Sequence, residues 1–303
     1  MSEILNHLQN EKVRHSLSLS AQIKEIVRKI LFKNGFQEFD TPVLSPRTGE
    51  KYNTTFDIQL EDNEAMLVDS PQLYKMILML SGYEKYFQFA HCFRVITNED
   101  NLHTRLSEFV QMDIELKNTD LDELVDLAKQ MLIEICKLIN RVPKISYMSG
   151  LSCRADYGEE MKPDLRENED DISIVFVKHM PLTNGKRIPC HHIFAKPSKK
   201  VLEEDCEALL NFTTESFDIV VNGVEVGGGD LRIMNSDEQR NLMKIFDVDE
   251  SRYKEYLSIL DLCEGNQGGG FAIGLERLIM VLLECDNISQ TVAFPNFYKR
   301  GVL

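Results

Sequence analysis

The run Gly268-Gly269-Gly270-Phe271-Ala272-Ile273-Gly274-Leu275-Glu276-Arg277-Leu278-Ile279-Met280-Val281-Leu282-Leu283 constrains this chain more than any other stretch. Its first half interleaves glycine with apolar residues, the composition of a strand whose backbone is approached closely. In its second half Leu275, Leu278, Ile279, Leu282 and Leu283 recur with helical period. A strand running into a buried helix leaves Arg277 in the helix's first turn. There the helix dipole opposes a cation, and an unpaired buried guanidinium is costly. Either a bound anion such as a phosphate answers that cost, or a local carboxylate such as Glu276 does.

The rest of the chain reads as strands in hairpins interleaved with helices. Residues 1–33 are helical in pattern, with Leu17, Leu19, Ile23, Ile26, Val27, Ile30 and Leu31 on one face and Gly35 as the stop. Phe36 to Thr41 alternates as a strand before Pro42, and residues 47–64 read as a polar surface loop or a mobile loop over a pocket. Ser70 and Pro71 suit the N-cap and first position of a helix reaching Leu80 and Gly82. Gln72 and Lys75 share a face of its first turn, where Lys75 is either solvated or held by an anion. Tyr86 to Arg94 and Glu108 to Leu116 form a hairpin with a long tip, bearing Arg94, Arg105, Glu108 and Asp113. Asp120 and Glu123 make a capping box for a core helix to about Ile139. Residues 152–171 read as a loop and Ile172 to Lys178 as a buried strand. His191 and His192, adjacent in an extended chain, point opposite ways, which argues against a shared zinc ion. Asn222-Gly223 marks a tight hairpin between Phe217–Val221 and Val224–Val226. Asp218 and Glu225 are carboxylates on otherwise apolar strands, and Arg232 follows three glycines. A metal ion or cation satisfies the two carboxylates, or the three residues pair among themselves.

Hydrophobic content of 43% is enough for a core in 303 residues, and a net charge of −15 argues against sequence-blind adhesion to nucleic acid or to anionic membranes. The seven cysteines are scattered without paired CxxC spacing, and no apolar run approaches a membrane span. A cytoplasmic protein with reduced thiols is expected.

In order along the chain these pieces resemble the catalytic core of class II aminoacyl-tRNA synthetases, in particular the bacterial type of aspartyl-tRNA synthetase. The likeness runs from about Val13 to Asn296. Motif 1, about residues 20–45, is the helix before Asn34-Gly35-Phe36 and the turn at Thr41-Pro42. Motif 2, about 90–116, runs from Cys92-Phe93-Arg94 through Arg105-Leu106-Ser107-Glu108-Phe109. Motif 3, about 268–283, is the opening run with Gly274-Leu275-Glu276-Arg277. Between them lie Ser70-Pro71-Gln72-Leu73-Tyr74-Lys75, Gln111-Met112-Asp113-Ile114-Glu115 and Asn222-Gly223-Val224-Glu225-Val226-Gly227-Gly228-Gly229.

The resemblance implies an α+β fold, an antiparallel sheet flanked by helices, in one catalytic domain over residues 1–303 that dimerises with its own copy through the motif 1 region. It implies an ATP- and magnesium-dependent ligase that activates aspartate as its adenylate. The acceptor is then the tRNA end, or a small nucleophile such as ammonia. A non-catalytic paralogue that binds an amino acid or a partner protein as a regulator is the alternative. By the same likeness, Arg94 meets the α-phosphate of ATP and Arg277 the γ-phosphate, with Glu99 and Arg105 also on the nucleotide. Asp218 and Glu225 would hold magnesium. Gln72, Lys75, Asp113 and Arg232 would line the amino-acid pocket, and His191 or His192 would help close it. Lys75 and Arg232 would face the side-chain carboxylate and Asp113 the ammonium.

Three departures from the family pattern stand out. No β-barrel anticodon-binding domain precedes the likeness, and the bacterial type's large insertion is missing between Lys162-Pro163-Asp164-Leu165-Arg166 and His191-His192. Ile96 stands where the family has an acidic adenine contact, in a longer loop, so that either Glu99 takes over that contact or adenine binding is weaker, and Leu106 replaces a glutamine. Activation is therefore expected to be better preserved than tRNA recognition.

Overall fold

The computed structural model describes residues 2–46, 55–60, 63–96, 102–183, 188–201, 209–262 and 267–295. In chain order the elements are α1 (Ser2–Gln9), α2 (Glu11–Lys33), β1 (Gln37–Glu38), β2 (Leu44–Pro46), β3 (Phe56–Leu60), β4 (Asn63–Leu67), α3 (Gln72–Leu80), β5 (Lys85–Phe93), β6 (Glu108–Lys117), α4 (Leu121–Lys137), β7 (Pro143–Ser149), α5 (Gly150–Tyr157), β8 (Ile172–Lys178), β9 (Ser216–Val221), β10 (Val224–Leu231), α6 (Ser236–Ile245), α7 (Lys254–Leu262), β11 (Gly268–Gly274) and α8 (Leu275–Leu282).

An eight-stranded sheet in the order β1-β5-β6-β11-β10-β9-β8-β7 organises them. It is antiparallel except at its two edges, where β1 pairs parallel to β5 and β7 parallel to β8. Helices flank it, so the α+β expectation stands. A small sheet, β2-β4-β3, occupies part of the stretch expected to be a loop. Residues 47–54 and 61–62 of that stretch lie outside the described residues.

The register sorts the chemistry. Pairing lines up Phe87, Ile114, Phe271, Gly229 and Phe217 across β5, β6, β11, β10 and β9. Side chains alternate along a strand, so this row faces one side. It meets Leu19, Ile23 and Val27 of α2, Leu124 and Ala128 of α4, and Leu278 and Ile279 of α8 in the main core. Burying each large side chain there contributes about 1.5–3 kcal/mol. The neighbouring rows, Gln88, Asp113, Ala272, Gly228 and Asp218, then Tyr86, Glu115, Gly270, Asp230 and Ser216, face the other side. Polar groups and small residues thus collect on one face of the sheet, forming a floor.

Several local expectations are corrected. Residues 1–33 form two helices, because Asn10 accepts from the backbone N–H groups of Lys12 and Val13 and caps α2. Ser70 is no cap: α3 begins at Gln72 with Pro71 before it and no side-chain cap bond. The stretch expected as a loop from residue 152 begins inside α5, whose N-cap is Ser149. The Asn222-Gly223 turn is as expected, with both residues at positive φ. Asp120 does cap α4, accepting from Glu123 N at 2.8 Å. No helix among the described residues is long and apolar enough to cross a membrane.

Candidate active site

A cleft of about 630 Å³ opens over the polar face of the sheet, and most of the residues singled out from sequence line it. Its two ends differ in charge. At one end stand three arginines. Arg94 follows directly on β5, where its backbone N–H donates to Ser107 O at 2.8 Å. Its guanidinium lies over the Phe109 ring, 5.7 Å from the centroid, and its buried Nε has no hydrogen-bond partner. Arg277, in the first turn of α8, donates from Nη1 to the Glu225 carbonyl at 3.0 Å. Burial lowers its pKa, and although the Glu225 charge opposes this, the Arg105 and Arg94 charges add to it. Among the described residues none of the three makes an ion pair, and Glu276 does not serve Arg277. The Glu276 carboxylate instead accepts the Val110 N–H at 2.9 Å.

Asp218 and Glu225 sit beside this end through a break in register. Asp218 pairs with Gly228 and Val220 with Glu225, but between Glu225 and Gly227 the pairing slips by one residue. The bulge turns Glu225 onto the face that carries Asp218, as a one-residue slip must. Glu225 is open to the cleft yet crowded by protein. That desolvation, then the Asp218 carboxylate, raises its pKa. Two hard oxygen donors that disfavour each other's charge fit a divalent cation such as magnesium.

At the other end the cations are buried and already paired. Lys75, expected to be solvated or to hold an anion, is 4% exposed and stands 2.8 Å from Asp113 Oδ1 and 3.0 Å from Glu115 Oε1. Burial lowers its pKa, but these two carboxylates outweigh it and the net shift is upward. Asp113's own carboxyl is pushed up by burial more than Lys75 pulls it down; with Glu115 on the same ammonium, the short contact is best described as ionic. Arg232, 2% exposed, reaches Glu115 Oε1 from Nη2 at 2.6 Å and both oxygens of Asp230 from Nη1 at 2.6 Å. The planar fork expected to be free for a substrate carboxylate is therefore occupied, and its Nε alone lacks a partner. Burial acts against ionisation of Asp230, yet Arg232 and the neighbouring histidines hold its pKa well below the ordinary range.

The two histidines correct another expectation. They lie in a bend, not a strand, so alternation does not apply. Their rings are 5.0 Å apart and both turn to Asp230 Oδ2, His191 Nδ1 at 3.4 Å and His192 Nε2 at 2.8 Å. His191 Nε2 also approaches Asp218 at 3.5 Å. The Phe194 N–H donates to His192 Nδ1 at 3.2 Å, which places the ring proton on Nε2, toward Asp230. Burial pushes the His192 pKa down to about 4. His191, His192 and Asp230 offer ligand atoms within 4.8 Å of one another, but Arg232 Nη1 stands 3.0 Å from His192 Nε2, where a metal cation would be repelled.

The structure thus brings together Arg94, Arg105, Asp218, Glu225 and Arg277 at one end and Gln72, Lys75, His191, His192 and Arg232 at the other, with Asp113 beneath Lys75. Glu99 lies outside the described residues. Ile96 and Leu106 are buried and line the cleft. Sequence reasoning missed Glu115 and Asp230 as site residues. Each lies two positions from a residue that was singled out, Asp113 and Arg232, and that spacing on a strand means a shared face.

The profile of tRNA synthetases class II (D, K and N) matches residues 2–298. Among curated relatives, the aspartate–tRNA ligase of Malacoplasma penetrans is 23% identical over 95% of this chain and 72% of its own length. The aspartate–tRNA(Asp) ligase of Pyrococcus horikoshii is 25% identical over 97% of this chain and 71% of its own length. Among solved structures, the asparaginyl-tRNA synthetase of Pyrococcus horikoshii complexed with asparaginyl-adenylate superposes with a TM-score of 0.80 at 20% identity, covering 99% of this chain and 72% of that one. At that identity the superposition speaks for the fold. The chain spans between 65% and 72% of the length of such curated relatives. With the match over nearly all of its length, the chain belongs to the class II tRNA synthetases of the D, K and N group.

Proposed function

We propose that this ATP-dependent class II ligase activates the α-carboxylate of an amino acid of the aspartate–asparagine group as its adenylate. The observation that carries the reading is the cluster of Arg94, Arg105 and Arg277, cations without ion-pair partners among the described residues, facing the carboxylates Asp218 and Glu225 across one cleft. An end of that kind suits a polyphosphate together with its divalent ion.

The amino acid's carboxylate oxygen attacks the α-phosphorus, and the bond to the bridging oxygen of pyrophosphate breaks in line. Two anions must meet, so positive side chains have to neutralise the attacking carboxylate, the α-phosphate and the leaving group. Arg94 would take the α-phosphate and Arg277 the far phosphate, with Arg105 beside them. Asp218 and Glu225 would hold magnesium, which supplies charge neutralisation on the phosphate oxygens. No protein nucleophile is needed, because positioning carries the step. Ile96 and Leu106 would give adenine an apolar wall where the family pattern has polar contacts. Gln72 would help orient the amino acid in the cleft, and Asp113 would act only through Lys75, whose ammonium it holds. The activated acyl group would pass to the tRNA end or to a small nucleophile such as ammonia.

Pyrophosphate exchange tests the reading. Labelled pyrophosphate should enter ATP only when an amino acid is present. Silence with every acidic and amide amino acid would overturn activation. A calorimetric titration with ATP and magnesium that gave no heat would favour a regulator that has lost the nucleotide site.

A further inference from the structure

Resting on that adenylating reading, we infer that Asp230 sets the side-chain specificity of the cleft: it occupies the Arg232 fork, turning the pocket against a diacid and toward an amino acid that ends in a carboxamide. A carboxylate is recognised by two parallel N–H donors of a guanidinium. Here Nη1 of Arg232 serves both Asp230 oxygens and Nη2 serves Glu115. Lys75, the other cation expected to meet a substrate carboxylate, is shared between Asp113 and Glu115. Two cations thus face three carboxylates, all buried. A fourth carboxylate would stand against Asp230 in a site shielded from water, where like charges repel strongly.

Asp230 has no easy way aside. It is 0% exposed and held in the sheet interior by pairing to Gly270 and Ser216. Both partners are small, and the space above Gly270 is taken by the Glu115 carboxylate, which packs Asp230 in on that side. A Cβ on Gly270 would lie 2.3 Å from Glu115 Cδ, so only glycine there lets the Glu115 carboxylate lie over the strand toward Arg232.

A carboxamide suits what remains. Its NH₂ would donate to Asp230, a buried residue at the wall of the cleft, once the small group displaces part of the surrounding packing. Its carbonyl accepts from Arg232 Nε or Gln72 Nε2, both buried without a hydrogen-bond partner. An ammonium would satisfy Asp230 but leave those two donors unanswered. A carboxylate would answer the donors and collide electrostatically with Asp230. Leaving buried polar groups unpaired is what makes such discrimination large.

The test is pyrophosphate exchange by the whole protein with L-aspartate, L-asparagine and L-2,3-diaminopropionate, repeated with Asp230→Ser and Asp230→Asn. In the unaltered protein kcat/KM should favour asparagine over aspartate by about 100-fold or more. Either variant should move that ratio toward aspartate by about tenfold or more, because it frees Nη1 and removes the repelling charge. The inference is overturned if aspartate equals or exceeds asparagine, if diaminopropionate is preferred, or if folded variants keep the original ratio. Calorimetric binding of the three amino acids without ATP separates this inference from the reading it rests on. Preferential asparagine binding without exchange would refute activation and uphold the pocket. No binding by any of the three would overturn the pocket assignment itself.

Discussion

Arg277 and Arg232 face one cleft from opposite ends, and their surroundings differ in kind. Arg277 has a backbone carbonyl for a partner, and burial, opposed by the Glu225 charge and helped by Arg105 and Arg94, lowers its pKa. Arg232 is clamped by two carboxylates whose charges outweigh burial and raise its pKa. The first has no ion-pair partner among the described residues, which is the kind of local inconsistency expected at functional or strained sites. The second belongs to a buried network in which Asp230 and Glu115 already take its Nη1 and Nη2 donors, leaving Nε without a partner. Charge count alone does not distinguish them. What distinguishes them is how many of each guanidinium's donors are already spoken for.

The largest effect that would sharpen this contrast is on activity. Arg277→Ala should lower pyrophosphate exchange about a thousandfold or more, while the urea midpoint stays close to the original, since no ion pair is broken. A comparable loss of stability would break the comparison. Arg232→Ala should do the reverse in kind. Removing it strands Asp230 and Glu115 as buried charges, and equilibrium unfolding should show a loss of ~3–5 kcal/mol.

Glu276 offers a third probe, because it neighbours Arg277 in sequence without pairing to it. Burial, opposed by the Val110 N–H, pushes its pKa up to about 7. A raised carboxyl pKa means stability present below the unfolded value and lost as pH climbs through the folded one. Relative to Glu276→Gln, the unaltered protein should lose up to ~3 kcal/mol between pH 4.5 and about 7. If Glu276 instead neutralised Arg277, that difference would run the opposite way. The smallest effect is expected for Gly270→Ala, which crowds Glu115 and should cost ~1–3 kcal/mol in the same unfolding measurement.

Much of this site was legible before folding was considered. The Asn222-Gly223 turn, the α4 cap at Asp120, the strand that ends just before Arg94 and the strand bearing Asp113 follow from local rules, and local rules hold wherever partners are a few residues apart. Arg277 stood out because a cation at a helix start is locally unfavourable. Other features depended on distant partners. The bulge that turns Glu225 to the side of Asp218 exists only once β9 and β10 are paired. The convergence of His191 and His192 does not follow from extended-chain alternation, because the backbone there bends toward Asp230. The short strands β3 and β4 lie in a stretch whose glycine and charged residues dominate its reading, although Phe56-Asp57-Ile58-Gln59-Leu60 alternates as a strand does.

The amino-acid sequence by itself determined the order of strands and helices and the set of charged residues available for chemistry. Periodicity and turn chemistry are short-range, and the motif spacing lies along the chain. Which arginine is free and which is spent was decided only by tertiary structure. Glu115 and Arg232 are 117 residues apart in the chain yet 2.6 Å apart in space. The energy of a charge depends on what is within a few ångströms of it, and that distance is set by the packed sheet.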